Sequence, residues 1–321
     1  MESTLDDIQP LDGREYLSEP ILRDDFKVFF DTSENMGEIP DNTVHFWFTS
    51  IPYATMRGTM AYDSYTDYLS TMYTIFKEMY RTVRPGRVIA VNVSDYQISA
   101  QLDKEVIKGT EFELGEKFDC PSHVSYLMWK LNQEYAEHYQ LKYEDTIIWQ
   151  KSGSTSQRAG TFVDSGNPLK YRPEEVTERI LIFRKGDIDY KKIWREKRAS
   201  PKYDDVDIST FEKFEDWVSV DHSTMRDYIQ NIWTIQPETQ SDHPAPFPPK
   251  LPEVAIKLYS LRREIVGDPF LGSATTLERA QALSRRGVGY ENMDAESEDS
   301  PDFEQMIKDR TGANSATLDQ F

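Results

Sequence analysis

Apolar residues fall along this chain in two rhythms. Short, nearly continuous apolar runs alternate with longer stretches in which apolar positions recur every three or four residues. Thr43–Thr49 (TVHFWFT) predicts a buried strand. Tyr65–Val83 predicts a helix, with Leu69, Met72, Tyr73, Phe76, Met79 and Tyr80 on one face. Arg84-Pro85-Gly86 is expected to stop it, and Arg87–Val93 (RVIAVNV) to form the next strand. A helix is predicted at about Ser122–His138, then strands at Glu144–Trp149 and Arg179–Phe183. Residues 187–240 are charged and aromatic without a clean period. After a Pro-rich stretch, His243–Pro252, come a helix at Glu253–Arg263, a short strand at Ile265–Val266, a helix at Thr275–Arg285 and a strand at Gly287–Tyr290. Residues 292–321 are acidic and Ser/Asp-rich, and are expected to be loosely held. There is no internal repeat.

Strands alternating with helices imply an α/β fold with a mostly parallel sheet covered on both faces. Ligands of such sheets sit beyond the carboxyl ends of the strands. The length, 321 residues with 38% hydrophobic content, suffices for one large domain. No apolar run is long enough to span a bilayer, and the acidic N-terminus lacks the apolar core of a signal peptide. Cys120 is the single cysteine, which excludes an internal disulfide and argues against a structural zinc site. No metal is expected, and a cytoplasmic location fits best.

Two turns carry candidate chemistry. Asp268-Pro269-Phe270-Leu271-Gly272-Ser273-Ala274-Thr275-Thr276 follows one predicted strand and opens a helix. Small residues there let the backbone approach a ligand, and the helix start offers free N–H groups. Glu291 ends the next strand, where a carboxylate can accept from ribose hydroxyls. Neither GxGxxG nor GxxxxGK[ST] occurs, so a standard dinucleotide site and a P-loop are not indicated. The second turn, Thr49-Ser50-Ile51-Pro52-Tyr53, follows HFWFT. Its Ser50 hydroxyl and a backbone carbonyl can accept from the amino group of a planar base, and Tyr53 can stack on it. Taken singly, each turn also fits an ordinary strand–turn connection.

Together they resemble the amino-methyltransferases of DNA, in the permuted group whose TSPPY motif precedes its DPFLGSGTT motif. Further segments are similar to that family in the same order: Pro40–Phe46, Arg81–Asn92, Asp145–Lys151, Glu178–Gly186, His243–Ser260, Val266–Thr276 and Arg285–Glu291. The resemblance implies a Rossmann-like S-adenosylmethionine-dependent fold over residues 26–291, flanked by an N-terminal extension (1–25) and an acidic tail (292–321). Residues 187–240 become the candidate target-recognition subdomain. It implies that Asp31, Pro246, Phe247, Asp268, Phe270, Gly272, Ser273, Thr275 and Glu291 hold S-adenosyl-L-methionine. Ser50, Ile51, Pro52 and Tyr53 would hold the flipped target base.

Two residues depart from the family pattern: Ile51 replaces the first Pro of SPPY, and Ala274 replaces a Gly. Ile51 still supplies a backbone carbonyl, but lacks the ring that fixes φ. Ala274 is costly if that position needs a positive φ. Ser rather than Asp before the Pro turn points to N4-methylcytosine in double-stranded DNA. An N6-adenine enzyme, a catalytically degenerate DNA- or cofactor-binding relative and an RNA substrate stay open. So do a cognate restriction enzyme and a second copy of the chain as partners.

The formal charge of −19 opposes nucleic-acid binding, but its distribution weakens the objection. Residues 142–202 hold 14 Lys+Arg against 9 Asp+Glu. Lys151, Arg158, Lys170 and Arg172 lie in a Gly/Ser-rich segment suited to phosphate contact, and Lys191, Lys192 and Arg195 lie in the recognition region. The scattered histidines read as structural or solvent-facing, His243 excepted. Trp47 and Trp149 read as core residues.

Overall fold

The computed structural model describes residues 3–52, 62, 65–97, 117–118, 120–135, 137–151, 176–189, 222–238, 247–293 and 302–312. Their strands are β1 (Ser18–Leu22), β2 (Phe26–Phe30), β3 (Val44–Ser50), β4 (Val83–Val93), β5 (Tyr96–Gln97), β6 (Lys117–Phe118), β7 (Leu141–Gln150), β8 (Thr177–Lys185), β9 (Ile232–Thr234), β10 (Ile265–Asp268) and β11 (Arg286–Tyr290). The helices are α1 (Tyr65–Thr82), α2 (Cys120–Glu134), α3 (His222–Asp227), α4 (Lys250–Tyr259), α5 (Thr275–Ala282) and α6 (Phe303–Thr311).

Nine strands form one sheet in the order β1-β2-β11-β10-β3-β4-β8-β7-β9, and β5 and β6 make a separate short ladder. The run β2-β11-β10-β3-β4 is parallel throughout, as the alternation predicted. The β7–β8 hairpin is antiparallel and adds to the edge of that run. Period-two alternation splits each inner strand between two cores. Trp47, Ile89 and Val91 pack with Met72, Phe76 and Met79 of α1 and Leu127 and Leu131 of α2. Phe46, Phe48, Val88 and Ala90 pack on the opposite face with Val254 and Ala255 of α4. Trp47 and Trp149 are buried, as expected.

Four differences from the sequence reading have identifiable causes. First, Arg84-Pro85-Gly86 does not separate α1 from the next strand; β4 begins at Val83, directly after the helix. Lys185 makes this possible. Its Nζ donates to the carbonyls of Tyr80 (2.7 Å) and Val83 (2.9 Å) at the helix end, and burial pulls its pKa down to about 8. Gly86 takes φ +80°, and the β3–β4 register shifts between Val44 and Phe46 as the extra residues are absorbed.

Second, the N-terminal segment contributes the edge strand β1, in which Pro20 interrupts the register against β2. Third, residues 232–234, in a region with no predicted element, extend the sheet as β9, with Trp233 buried; residues 190–221 and 239–240 of the recognition region lie outside the described residues. Fourth, the acidic tail is not loose at Phe303–Thr311. Asp302 caps that helix by accepting from the Gln305 N–H (2.9 Å), Gly312 ends it at φ +71°, and Ile307 is fully buried against Leu271 and Leu277.

The chain runs outward from the middle of the sheet in opposite directions: β3 leads through α1 to β4, and β10 leads through α5 to β11. A crevice therefore opens at the carboxyl ends of β3 and β10. Those two strands pair closely because residue 267 is Gly. A Cβ there would lie 2.4 Å from the Trp47 ring, which is itself fixed by a hydrogen bond to Thr82 Oγ1 (3.2 Å). Gly267→Ala is expected to destabilise the fold by about 3 kcal/mol or more, beyond ordinary overpacking, because the obstacle is a locked ring. Urea unfolding monitored by tryptophan fluorescence measures this.

Candidate active site

The two candidate turns meet at that crevice. Thr49 Oγ1 donates to Asp268 Oδ1 at 2.7 Å, joining residues 219 positions apart. Asp268 is fully buried and also accepts from Thr276 Oγ1 (2.6 Å) and the Phe270 N–H (3.1 Å). Burial is the largest influence on its carboxyl group and pushes the pKa up to about 7, against the pull of those donors. Asp268 thus tethers the start of α5 and the end of β3 to one point.

On the β10 side, Gly272 (φ +52°) and Ala274 (φ +63°) are both left-handed, so the loop turns its backbone inward. The Gly272 N–H donates to Glu291 Oε2 at 2.5 Å, which holds that carboxylate at the end of β11 beside the loop. Ser273 and Thr275 hydroxyls lie 3.4 Å apart, and Arg310 of α6 donates to Thr275 Oγ1 at 2.5 Å. Phe270 is half-buried and packs against the core on the Trp47 face of the sheet. Asp31, at the end of β2, accepts from Arg14 Nε (2.7 Å). Arg14 also binds Glu38 (2.8 Å), which accepts from Tyr16 (2.7 Å) and Tyr290 (2.9 Å). This cluster fixes the loop after β2 next to the strand that carries Glu291. A strand-end carboxylate, an inward-turned loop and a helix start are the donor and acceptor set that a nucleoside with an amino-acid tail requires.

On the β3 side, Ser50 is half-buried and its Oγ accepts from Asn92 Nδ2 at 3.2 Å. Ile51 is buried among Tyr65, Tyr68, Met72 and Phe76, and its N–H reaches the Asn92 carbonyl at 3.4 Å. The Pro52 carbonyl accepts from Tyr68 OH at 2.9 Å. Phe247 packs edge-on against Phe48, with centroids 6.0 Å apart. Lys151, expected on a phosphate-contacting loop, instead pairs with Glu178 and lies over the Trp149 ring. Tyr53, Pro246, Arg158, Lys170, Arg172, Lys191, Lys192 and Arg195 lie outside the described residues. Asn92, Glu178, Tyr68 and Arg14 were not singled out by sequence reasoning. The available signal was an Asn or Glu at the end of an otherwise apolar strand. Among the described residues there is no cluster that could hold a metal ion, and no helix long and apolar enough to cross a membrane.

Residues 44–300 match the profile of the N6/N4 family described as DNA methylase. The chain belongs to that family. This methylase is 26% identical over 294 residues to the type II beta methyltransferase M.BslI of Bacillus sp. (strain NEB-606), covering 87% of this chain but 27% of that protein. It is 27% identical over 303 residues to the type II methyltransferase M.MjaI of Methanocaldococcus jannaschii, covering 83% of this chain and 86% of the relative. Among solved structures, the putative DNA modification methylase TTHA0409 of Thermus thermophilus, complexed with S-adenosyl-L-methionine, superposes with a TM-score of 0.59 at 21% identity, covering 88% and 92% of the two chains. The PvuII cytosine-N4-specific DNA methyltransferase superposes with a TM-score of 0.54 at 14% identity, covering 92% and 95%. The α/β fold of the methylase is therefore that of the S-adenosylmethionine-dependent DNA methyltransferases.

Two measurements test this description. Because burial holds a proton on Asp268 that the unfolded chain releases above about pH 4, its contribution to stability is complete below that pH. The contribution is lost as pH rises through about 7. Asp268→Asn is expected to flatten the corresponding fall in unfolding free energy between pH 4 and 7, measured by denaturant titration. At Ala274, relief of left-handed strain of about 1 kcal/mol opposes loss of a buried methyl and a gain in chain entropy of similar size. Ala274→Gly should change stability by less than about 1 kcal/mol, visible as a small shift in Tm.

Proposed function

We propose that this methylase transfers a methyl group from S-adenosylmethionine to the exocyclic N4 amino group of cytosine in double-stranded DNA. The observation that carries the proposal is the Thr49–Asp268 hydrogen bond, which sets the Ser50-Ile51-Pro52 turn beside the 268–275 loop. The choice of cytosine is supported by Ser50, rather than an Asp, standing before the Pro turn, and by likeness to a structure named as cytosine-N4-specific.

When bound, the donor supplies an electrophilic methyl carbon on a sulfonium. Glu291 would hold the ribose hydroxyls, Asp31 the adenine edge, and Phe270 and Phe247 the flanks. The backbone of Gly272, Ser273 and Thr275 would face the amino-acid tail. In this proposal the Ile51 carbonyl, which accepts no hydrogen bond among the described residues, and the Ser50 hydroxyl engage the amino-bearing edge of the flipped base. The carbonyl orients its nitrogen and stabilises the positive charge that develops on it. Pro52 and Tyr53 would complete the base pocket, and Tyr68 keeps the Pro52 carbonyl turned away from the base. No covalent bond between protein and base is required.

Residues 187–240 would read the target sequence, with Arg158, Lys170, Arg172, Lys191, Lys192 and Arg195 on phosphates. The excess of basic over acidic side chains in residues 142–202 offsets the acidity of the rest of the chain.

Incubating the protein with labelled donor and duplex DNA, then separating the nucleosides, tests the reading. Label in N4-methylcytosine is expected; label in N6-methyladenine would change the target base, and no transfer to DNA would overturn the assignment. Glu291→Ala should weaken donor binding by about ten- to a hundredfold in a calorimetric titration, the worth of a charge-assisted hydrogen bond to a hydroxyl.

A further inference from the structure

A buried polar row crosses the same sheet edge and ends on Ser50. Ser50, Asn92 and Glu178 lie on the adjacent strands β3, β4 and β8, and Lys151 directly follows β7, the next strand. Each stands two residues beyond an apolar residue of one shared core, after Phe48, Ala90, Trp149 and before Ile180, so all four project from one face. Lys151 Nζ pairs with Glu178 Oε1. Glu178 Oε2 accepts from Asn92 Nδ2 at 2.5 Å, and the same nitrogen donates to Ser50 Oγ at 3.2 Å. Asn92 is 1% exposed, and its Oδ1 is buried with no hydrogen-bond partner among the described residues.

The chemistry of the row fixes its polarity. A carboxylate paired with a lysine can only accept, so Glu178 dictates which end of the Asn92 amide faces it. Turning the amide over would set Oδ1 against Oε2 and leave two acceptors in contact. The amide therefore meets Ser50 as a donor, at the expense of its own unpaired oxygen. A buried polar atom left without a partner calls for an explanation, and here the imposed orientation supplies one. Ser50 in turn cannot give its hydroxyl proton to Nδ2. Among the described residues that proton has no acceptor.

We propose that Asn92, locked by Glu178 and Lys151, is a positioning residue that turns the Ser50 hydroxyl proton toward the ring nitrogen beside the target amino group. Ser50 then reads that nitrogen as a donor, while the Ile51 carbonyl takes an amino hydrogen. Cytosine (N3) and adenine (N1) both present an acceptor nitrogen next to the amino group. The inference rests on the base-methylating reading of the site and adds how the base edge is read.

The test compares the full chain with its Asn92→Ala and Glu178→Gln variants on two duplexes. One carries the mapped target base; in the other, that base's ring nitrogen is replaced by C–H, as 3-deazacytosine or 1-deazaadenine. The wild type is expected to lose about tenfold or more in kcat on the deaza duplex. The variants should lose a similar factor on the normal duplex, keep donor Kd within about twofold, and show almost no further deaza penalty. A purely structural role would lower kcat without removing that penalty. Glu178→Gln preserves shape and reports even where Asn92→Ala fails to fold. A deaza penalty equal in wild type and variants, or variants with unchanged kcat, overturns this inference alone. A wild type that methylates no DNA overturns it together with the proposed function.

Discussion

One buried hydrogen bond, from the Thr49 hydroxyl to the Asp268 carboxylate, joins the two halves on which the site depends. A carboxyl group with no solvent contact needs hydrogen-bond partners, and Thr49, Thr276 and the Phe270 N–H supply three donors to it. Any separation of β3 from β10 would remove one of these donors. The same two strands are drawn together by Gly267, which lets the Trp47 ring lie against the backbone. Packing below and hydrogen bonding above thus impose one spacing on the two turns.

The two departures from the family pattern look different once the surroundings are known. A proline at position 51 would fix the turn through its ring. Ile51 fixes it through burial in the core beneath α1, and Tyr68 of that helix also holds the Pro52 carbonyl. The turn is anchored by side-chain packing where a proline would use a covalent constraint. Ala274 does occupy a left-handed position, but its methyl is fully buried with Leu271 and Leu277, which offsets most of the conformational cost. Neither substitution disconnects the site.

The parallel sheet and its helices were legible in the sequence because they follow from runs of apolar residues and from strand–turn–helix spacing; the meeting of the two turns was implied by the family resemblance. The polar row was not. Asn92 sits inside RVIAVNV and Glu178 opens TERILIF, and both read as incidental members of buried strands. Their role arises only from cross-strand register, which places Ser50 opposite Asn92 and Trp149 opposite Glu178. Lys151 belonged by composition to a basic loop, yet its position one residue past β7 turns it inward. The edge strand β1 was hidden by Pro20, and α6 by the acidity around it, although Asp302 and Gly312 mark both of its ends. Pattern along the chain finds elements well; contacts between strands distant in sequence require the fold.

The order of strands also governs how the molecule is made. β3 and β4 are synthesised long before β10, which must then insert beside β3 at the middle of the sheet. Until residues 265–268 emerge from the ribosome, β3 has a bare hydrogen-bonding edge carrying Phe46, Trp47 and Phe48, a surface prone to stray pairing. A nascent chain in that condition also lacks the whole 268–291 side of the crevice. The second side of the crevice and the central pairing of the sheet are therefore completed in the same late event, so a truncated product would lack both and be adhesive.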